Sequence, residues 1–163
     1  MNNLAFALVV GIGATALMDA WGVIRKPLLG GPLPNYAMVG RWIAHMTRGK
    51  FRHESIAAAA PVRGEQLIGW TAHYLVGIAF AVLLLSIQGE SWVQDPTLVP
   101  ALAVGIATIA APFLIMQPGM GAGIAASKTP NPAAARFQSF LTHTVFGLGL
   151  YLSGSAAQLL QQS

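Results

Sequence analysis

The 163-residue chain carries nine Lys and Arg against five Asp and Glu, a formal charge of +4, with 55% hydrophobic and only 9% charged residues. A soluble domain has roughly a quarter of its residues charged, so this balance excludes an ordinary water-soluble globule. The absence of cysteine excludes disulfides, thiolate catalysis and cysteine metal sites.

Four apolar segments, residues 4–24, 67–87, 98–116 and 137–160, account for the excess. Each is near the roughly 20 residues a helix needs to cross about 30 Å of hydrocarbon. The expected fold class is all-α: an integral membrane four-helix bundle in one domain, with a cytoplasmic interfacial helix. The first segment has no basic residue ahead of it and no clear cleavage site behind it, so it reads as a retained helix. Within it, Asp19 stands in the otherwise apolar stretch GATALMDAWG.

The connection that follows is polar and basic. Seven of the nine basic residues, Arg25, Lys26, Arg41, Arg48, Lys50, Arg52 and Arg63, lie between the first two apolar segments. In NYAMVGRWIAHMTRGKF, Tyr36, Val39, Ile43 and Met46 recur at helical spacing while Arg41, His45, Arg48 and Arg52 follow another face. The pattern predicts an amphipathic helix over residues 36–48 at the membrane surface. SIAAAAPVRGE then reads as a short Ala-rich piece ended by Pro61 and Gly64.

The second segment carries His73, with Leu84 expected on its lipid side, and leads through the short acidic connection QGESWVQDP to the third. Pro100 and Pro112 make the third the least regular segment, and Pro118 is expected to end it. MQPGMGAGIAASKTPNP superficially resembles a phosphate loop at Lys128 and Thr129, but Ser127 stands where the glycine before lysine belongs, so the pattern fails. A re-entrant turn followed by a short helix over GIAASK is the expectation. Arg41, Arg48, Lys128 and Arg136 are candidate anion or headgroup contacts; Arg52, His53, Glu54 and Glu65 extend that set.

Basic residues crowd the first and third connections and are absent from residues 88–97. The positive-inside rule therefore puts those two connections in the cytoplasm and both termini in the periplasm of a bacterial inner-membrane, multi-pass protein. No base-reading module accompanies the positive charge, so nucleic acid is not an expected partner; membrane lipid, self-association or another membrane protein is.

Depth sets the candidate site. At 1.5 Å per residue, Asp19, His73 and His143 each lie about 7 to 9 Å from the cytoplasmic end of their helices. Small and polar stripes mark the helix-helix faces: Gly11, Thr15, Asp19 and Gly22; Gly69, His73 and Gly77; Gly105 and Thr108; Ser139, His143, Gly147 and Gly154. An unpaired Asp near a helix centre costs roughly 2.5 to 3.5 kcal/mol, which favours a shared polar cluster of Asp19, His73 and His143. Such a cluster suits proton relay, or zinc; Met116, with Met18 and Met120, biases a metal toward copper, and two histidines on separate helices also suit haem. The functions open at this level are transport with proton or metal handling, a membrane-embedded enzyme or lipid-binding protein, and an accessory or structural subunit of a membrane complex.

The stretches GIGATALMD, NYAMVGRWIAH, FRHESIAAAAPVRGE, GWTAHYLVGIAF, PFLIMQPGMGAGIAASKTPNP and HTVFGLGLY together resemble an uncharacterised bacterial family of small four-helix inner-membrane proteins. The resemblance covers nearly the whole chain and implies a membrane fold without implying a reaction.

Overall fold

A computed structural model describes residues 2–29 and 33–162. It is all α, with no strand among the described residues. The elements are α1 (Asn3–Leu29), α2 (Tyr36–Met46), a 3₁₀ turn (Ile56–Ala58), α3 (Glu65–Gln88), α4 (Glu90–Gln94), α5 (Leu98–Ala107), a π turn (Pro112–Met116), α6 (Gln117–Met120), a second 3₁₀ turn (Ile124–Ala126) and α7 (Pro132–Gln162).

Among the described residues three stretches are long and apolar enough to cross a membrane: Asn3–Leu28, Glu65–Gln88 and Leu98–Met120. The fourth expected segment lies in α7, whose 31 residues reach about 46 Å at 1.5 Å each. It is not among the three, because Gln138, Ser139, Thr142, His143 and Thr144 dilute its apolar character.

The third stretch continues past its expected end. Pro112 cannot donate a backbone hydrogen bond, and the turn it begins widens to π geometry, with Gln117 N–H reaching Pro112 O. Pro118 is accommodated in the first turn of α6, where a missing N–H costs nothing. Termination falls instead at Gly121, whose φ of 97° supplies the left-handed cap.

The chain divides into two compact units. Unit 1 comprises Met1–Leu33, Tyr74–Thr108 and Phe140–Ser163. Its core contains Phe6, Val10, Ala14, Leu84, Trp92, Val104, Phe146 and Leu150. Leu84 is thus fully buried rather than lipid-side, while its neighbour Leu83 is exposed. The small-residue stripes are where the helices touch. A Cβ on Gly11 would strike the α3 backbone at Ile78, one on Gly105 would strike Gly147, and one on Gly149 would meet Ala14 Cα at 2.8 Å. The short α4 closes one end, with Trp92 packed on Gly154 and its indole N–H donating to Thr97 O at 3.1 Å.

Unit 1 inverts the soluble pattern. Leu4, Leu8, Ile12, Leu75, Val82, Val99 and Leu152 are exposed, whereas Thr15, Arg25, Thr108 and His143 are buried. Polar groups inside and many exposed apolar side chains suit a hydrocarbon surround.

Unit 2 comprises Pro34–His73 and Ile109–Ser139. Here α2, capped by Asn35 accepting from Met38 N–H, crosses the first turns of α3 backbone to backbone. A Cβ on Gly40 would strike Glu65 O, and one on Gly69 would strike Tyr36 O.

These contacts make glycine replacement asymmetric. Gly105→Leu should destabilise the protein by about 1 to 3 kcal/mol or more through overpacking. Gly22→Ala, whose added Cβ meets nothing within 4 Å, should be neutral or stabilise by up to about 1 kcal/mol through helix propensity. Thermal unfolding in detergent measures both; equal loss in the two variants would remove the close-approach explanation.

Candidate functional site

Each ionisable residue singled out within an apolar segment is bonded to a hydroxyl. Tyr74 Oη donates to Asp19 Oδ2 at 3.1 Å in unit 1. His143 lies 3.0 Å through Nδ1 from Thr108 Oγ1, whose own proton goes to Gly105 O at 2.6 Å. That use of the threonine proton makes His143 the donor, which assigns a proton to Nδ1. In unit 2, His73 Nε2 lies 2.9 Å from Tyr36 Oη, with the two rings stacked at 4.3 Å and Trp70 against Tyr36 at 4.4 Å. Among the described residues no group of three or more His, Asp or Glu is placed to hold a metal ion. The zinc or copper reading of Asp19, His73, His143 and Met116 therefore finds no such ligand group.

Unit 2 holds a second polar assembly. Arg41 does not present itself to an external anion. Its Nε and Nη2 donate to the two oxygens of Glu65 at 2.9 and 2.8 Å, and Nη1 donates to the carbonyls of Ile56 and Ala59 at 3.3 and 3.0 Å. Glu65 also accepts from Val62 N–H at 2.9 Å. This bidentate fork ties α2, the Ala-rich turn and the start of α3 into one piece.

Trp42 anchors the other side of α2. Its indole N–H donates to Phe51 O at 2.9 Å, and its ring fills the space where a side chain on Gly119 would sit. The loop so positioned brings His53 to α2: His45 Nδ1 and His53 Nε2 are 2.8 Å apart. Both imidazoles are buried. His53 N–H donates to Gly119 O at 2.9 Å, and Gly121 fits where a Cβ would strike Glu54 O. Two side-chain atoms in this unit, His53 Nδ1 and Gln117 Oε1, are buried with no hydrogen-bond partner. Such an atom costs about 1 to 3 kcal/mol when water does not reach it.

The two loops enclose an open cleft of about 530 Å³ whose lining includes Arg52, His53, Glu54, Ser127 and Lys128. Of the candidate anion contacts, Lys128 is at this cleft, Arg48 is exposed elsewhere on unit 2, and Arg136 donates to Ala125 O at 2.8 Å. The His45–His53 pairing had no periodic signature, since His53 lies beyond the helix; the hydroxyl partners Tyr36 and Tyr74 were visible only as ordinary aromatic residues.

A family model for proteins of unknown function, DUF2938, matches residues 8–157. The chain belongs to that family. No curated protein and no solved structure matches it. The match takes in every residue of both polar assemblies in the DUF2938 chain.

His53 sits below its ordinary pKa of 6.5, chiefly because burial penalises the imidazolium, with Lys50 and His45 adding repulsion and the Gly119 backbone opposing them. An unfolded chain then binds a proton near 6.5 that the folded chain resists, so this contribution to stability is present above that value and lost as pH falls below it. The thermal midpoint in detergent should drop between about pH 7.5 and about pH 5.5, and His53→Gln should flatten that drop. An unchanged slope in the variant would place the acid sensitivity in other groups.

Proposed function

We propose that this protein is a bacterial inner-membrane protein that crosses the bilayer four times and handles protons in a transport-related role. Three apolar stretches have the length and composition to span. Assigning α7 as the fourth span rests on its length, its glycine contacts with α1 and α5 and its buried His143. The basic residues of the first and third connections and the acidic 88–97 connection favour those two connections in the cytoplasm and both termini in the periplasm. In that setting α2 lies along the inner surface.

One observation carries the proton reading: Asp19, His73 and His143 are each bonded to a hydroxyl. A hydroxyl both donates and accepts, so the carboxylate or imidazole beside it keeps a hydrogen-bond partner in either protonation state.

Orientation and function have separate tests. Ser55, Ser91 and Ser127 are exposed, and the chain has no cysteine to interfere. A membrane-impermeant thiol reagent applied to intact cells should label Ser91→Cys and spare Ser55→Cys and Ser127→Cys until the membrane is opened. Outside labelling of Ser55→Cys reverses the orientation.

Proteoliposomes with a trapped pH-sensitive dye should dissipate an imposed pH gradient faster than empty vesicles. Asp19→Asn should slow that flux by about tenfold or more, because the amide keeps the Tyr74 hydrogen bond but cannot titrate. Leu83→Ala, on the exposed face of α3, should not. Flux equal in wild type and Asp19→Asn leaves the hydroxyl-bonded groups as structural fastenings.

A further inference from the structure

The cleft of unit 2 is a different kind of site from the hydroxyl pairs. Arg52 and Lys128 reach its wall from two separate loops. The salt bridge of this unit joins Arg41 to Glu65, and neither cleft cation is neutralised by an ion pair among the described residues. Arg41 is fully engaged and Arg136 holds a carbonyl, which leaves Arg52 and Lys128 as charges at the cleft that the fold does not use.

The loops that carry them are fixed. His53 N–H to Gly119 O, at 2.9 Å, joins the Arg52 loop to α6. Lys128 N–H to Ala122 O, at 2.8 Å, closes the second loop on itself. Between them Ala125 and Ala126 hold φ values of 47° and 59°, a left-handed conformation that is strained for a non-glycine residue. Arg136 Nε bonded to Ala125 O retains that conformation, and Ser127 and Lys128 follow immediately at the cleft wall. A strained turn bonded to an arginine thus carries Ser127 and Lys128 to the cleft that Arg52 also lines.

We propose that this cleft binds a phosphate ester, carried either by a lipid headgroup or by a soluble phosphodiester. A guanidinium takes two phosphate oxygens in its planar fork, an ammonium supplies a point charge, and the Ser127 hydroxyl donates to a third oxygen. Glu54 shares the wall, so its carboxylate offsets one of the two cations. The remaining net charge matches a phosphodiester, which carries a single negative charge, better than a dianionic monoester. Ile124, an exposed apolar side chain on the same wall, gives the glycerol or acyl portion of an amphiphile a surface to lie on. The inference does not rest on proton movement; it stands or falls whatever Asp19→Asn does to flux.

The test is calorimetric titration of the full chain in neutral detergent with two probes: glycerophosphoglycerol, and short-chain phosphatidylglycerol below its micelle concentration. At least one should bind saturably at low salt. Arg52→Gln with Lys128→Gln should weaken that binding by about tenfold or more, since two charge-assisted contacts are lost. Glu54→Gln should strengthen it severalfold, a gain that a misfolded variant cannot mimic. Arg63→Gln, exposed outside the cleft, should leave it unchanged. Comparable binding of both probes assigns a soluble phosphodiester as a sufficient ligand; binding of the lipid alone assigns the headgroup together with its chains. Failure of both probes to bind, undiminished binding by the double variant, or equal weakening by Arg63→Gln overturns the proposal, the last by showing only diffuse attraction to a basic surface.

Discussion

Close approach of helix backbones at glycine is the constraint from which the polar geometry follows. Helices in a hydrocarbon setting gain nothing from hiding apolar surface from one another, so association depends on contact and hydrogen bonding between backbones brought near. In unit 1, Gly105 meets Gly147, and one helical turn away on each helix stand Thr108 and His143, 3.0 Å apart. On the other side Gly77 lies where a Cβ would strike Thr15; one turn beyond are Tyr74 and Asp19, 3.1 Å apart. Unit 2 repeats the relation, with Gly40 crossing Gly69 and Tyr36 bonded to His73 one turn off. Side chains at i and i±3 or i±4 share a face, so a glycine contact forces the residues a turn away to confront each other. A bulky residue at such a glycine would therefore part the polar pair as well as the helices.

Much of this was written in the sequence, and the boundary is instructive. Length and apolarity marked the segments, and the small-residue stripes marked the contacting faces because glycine and threonine have few other reasons to recur at helical spacing in an apolar run. Partner identity was less legible. Asp19, His73 and His143 were legible as a set because depth is a single coordinate, whereas the hydroxyl bonded to each depends also on rotation about the helices and carries no periodic signal. Tyr36 and Tyr74 read as aromatic packing; only their position a turn from a glycine contact distinguishes them. The same loss of rotational information placed Leu84 on the lipid side, although it is fully buried.

Loops were least legible of all. His45 and His53 are eight residues apart with a helix end between them, and their 2.8 Å contact depends on Trp42 seating itself over Gly119 and on the His53 backbone bonding to Gly119 O. Those are contacts between segments far apart in sequence, which no local spacing encodes. Proline was a misleading stop signal for a related reason. Pro118 needs no N–H partner in the first turn of α6, whereas Gly121 supplies a conformation that other residues resist, so the helix ends at the glycine.

Charge usage in unit 2 separates structure from opportunity. Arg41 is a cation whose donors are consumed by Glu65 and three backbone carbonyls, and an anion arriving there would have to displace a carboxylate already held in two-point geometry. Arg52 and Lys128 present the opposite case: fixed backbones, no ion pair among the described residues and a shared cleft. Surface cations usually gain little from pairing because water screens them, so leaving two of them free costs the fold almost nothing. The strained alanine pair is different, since its left-handed backbone costs free energy while Ala126 is buried. Its retention is understandable if the turn serves the cleft, and it is on the cleft that the unused charges, the buried His53 and the strained backbone converge.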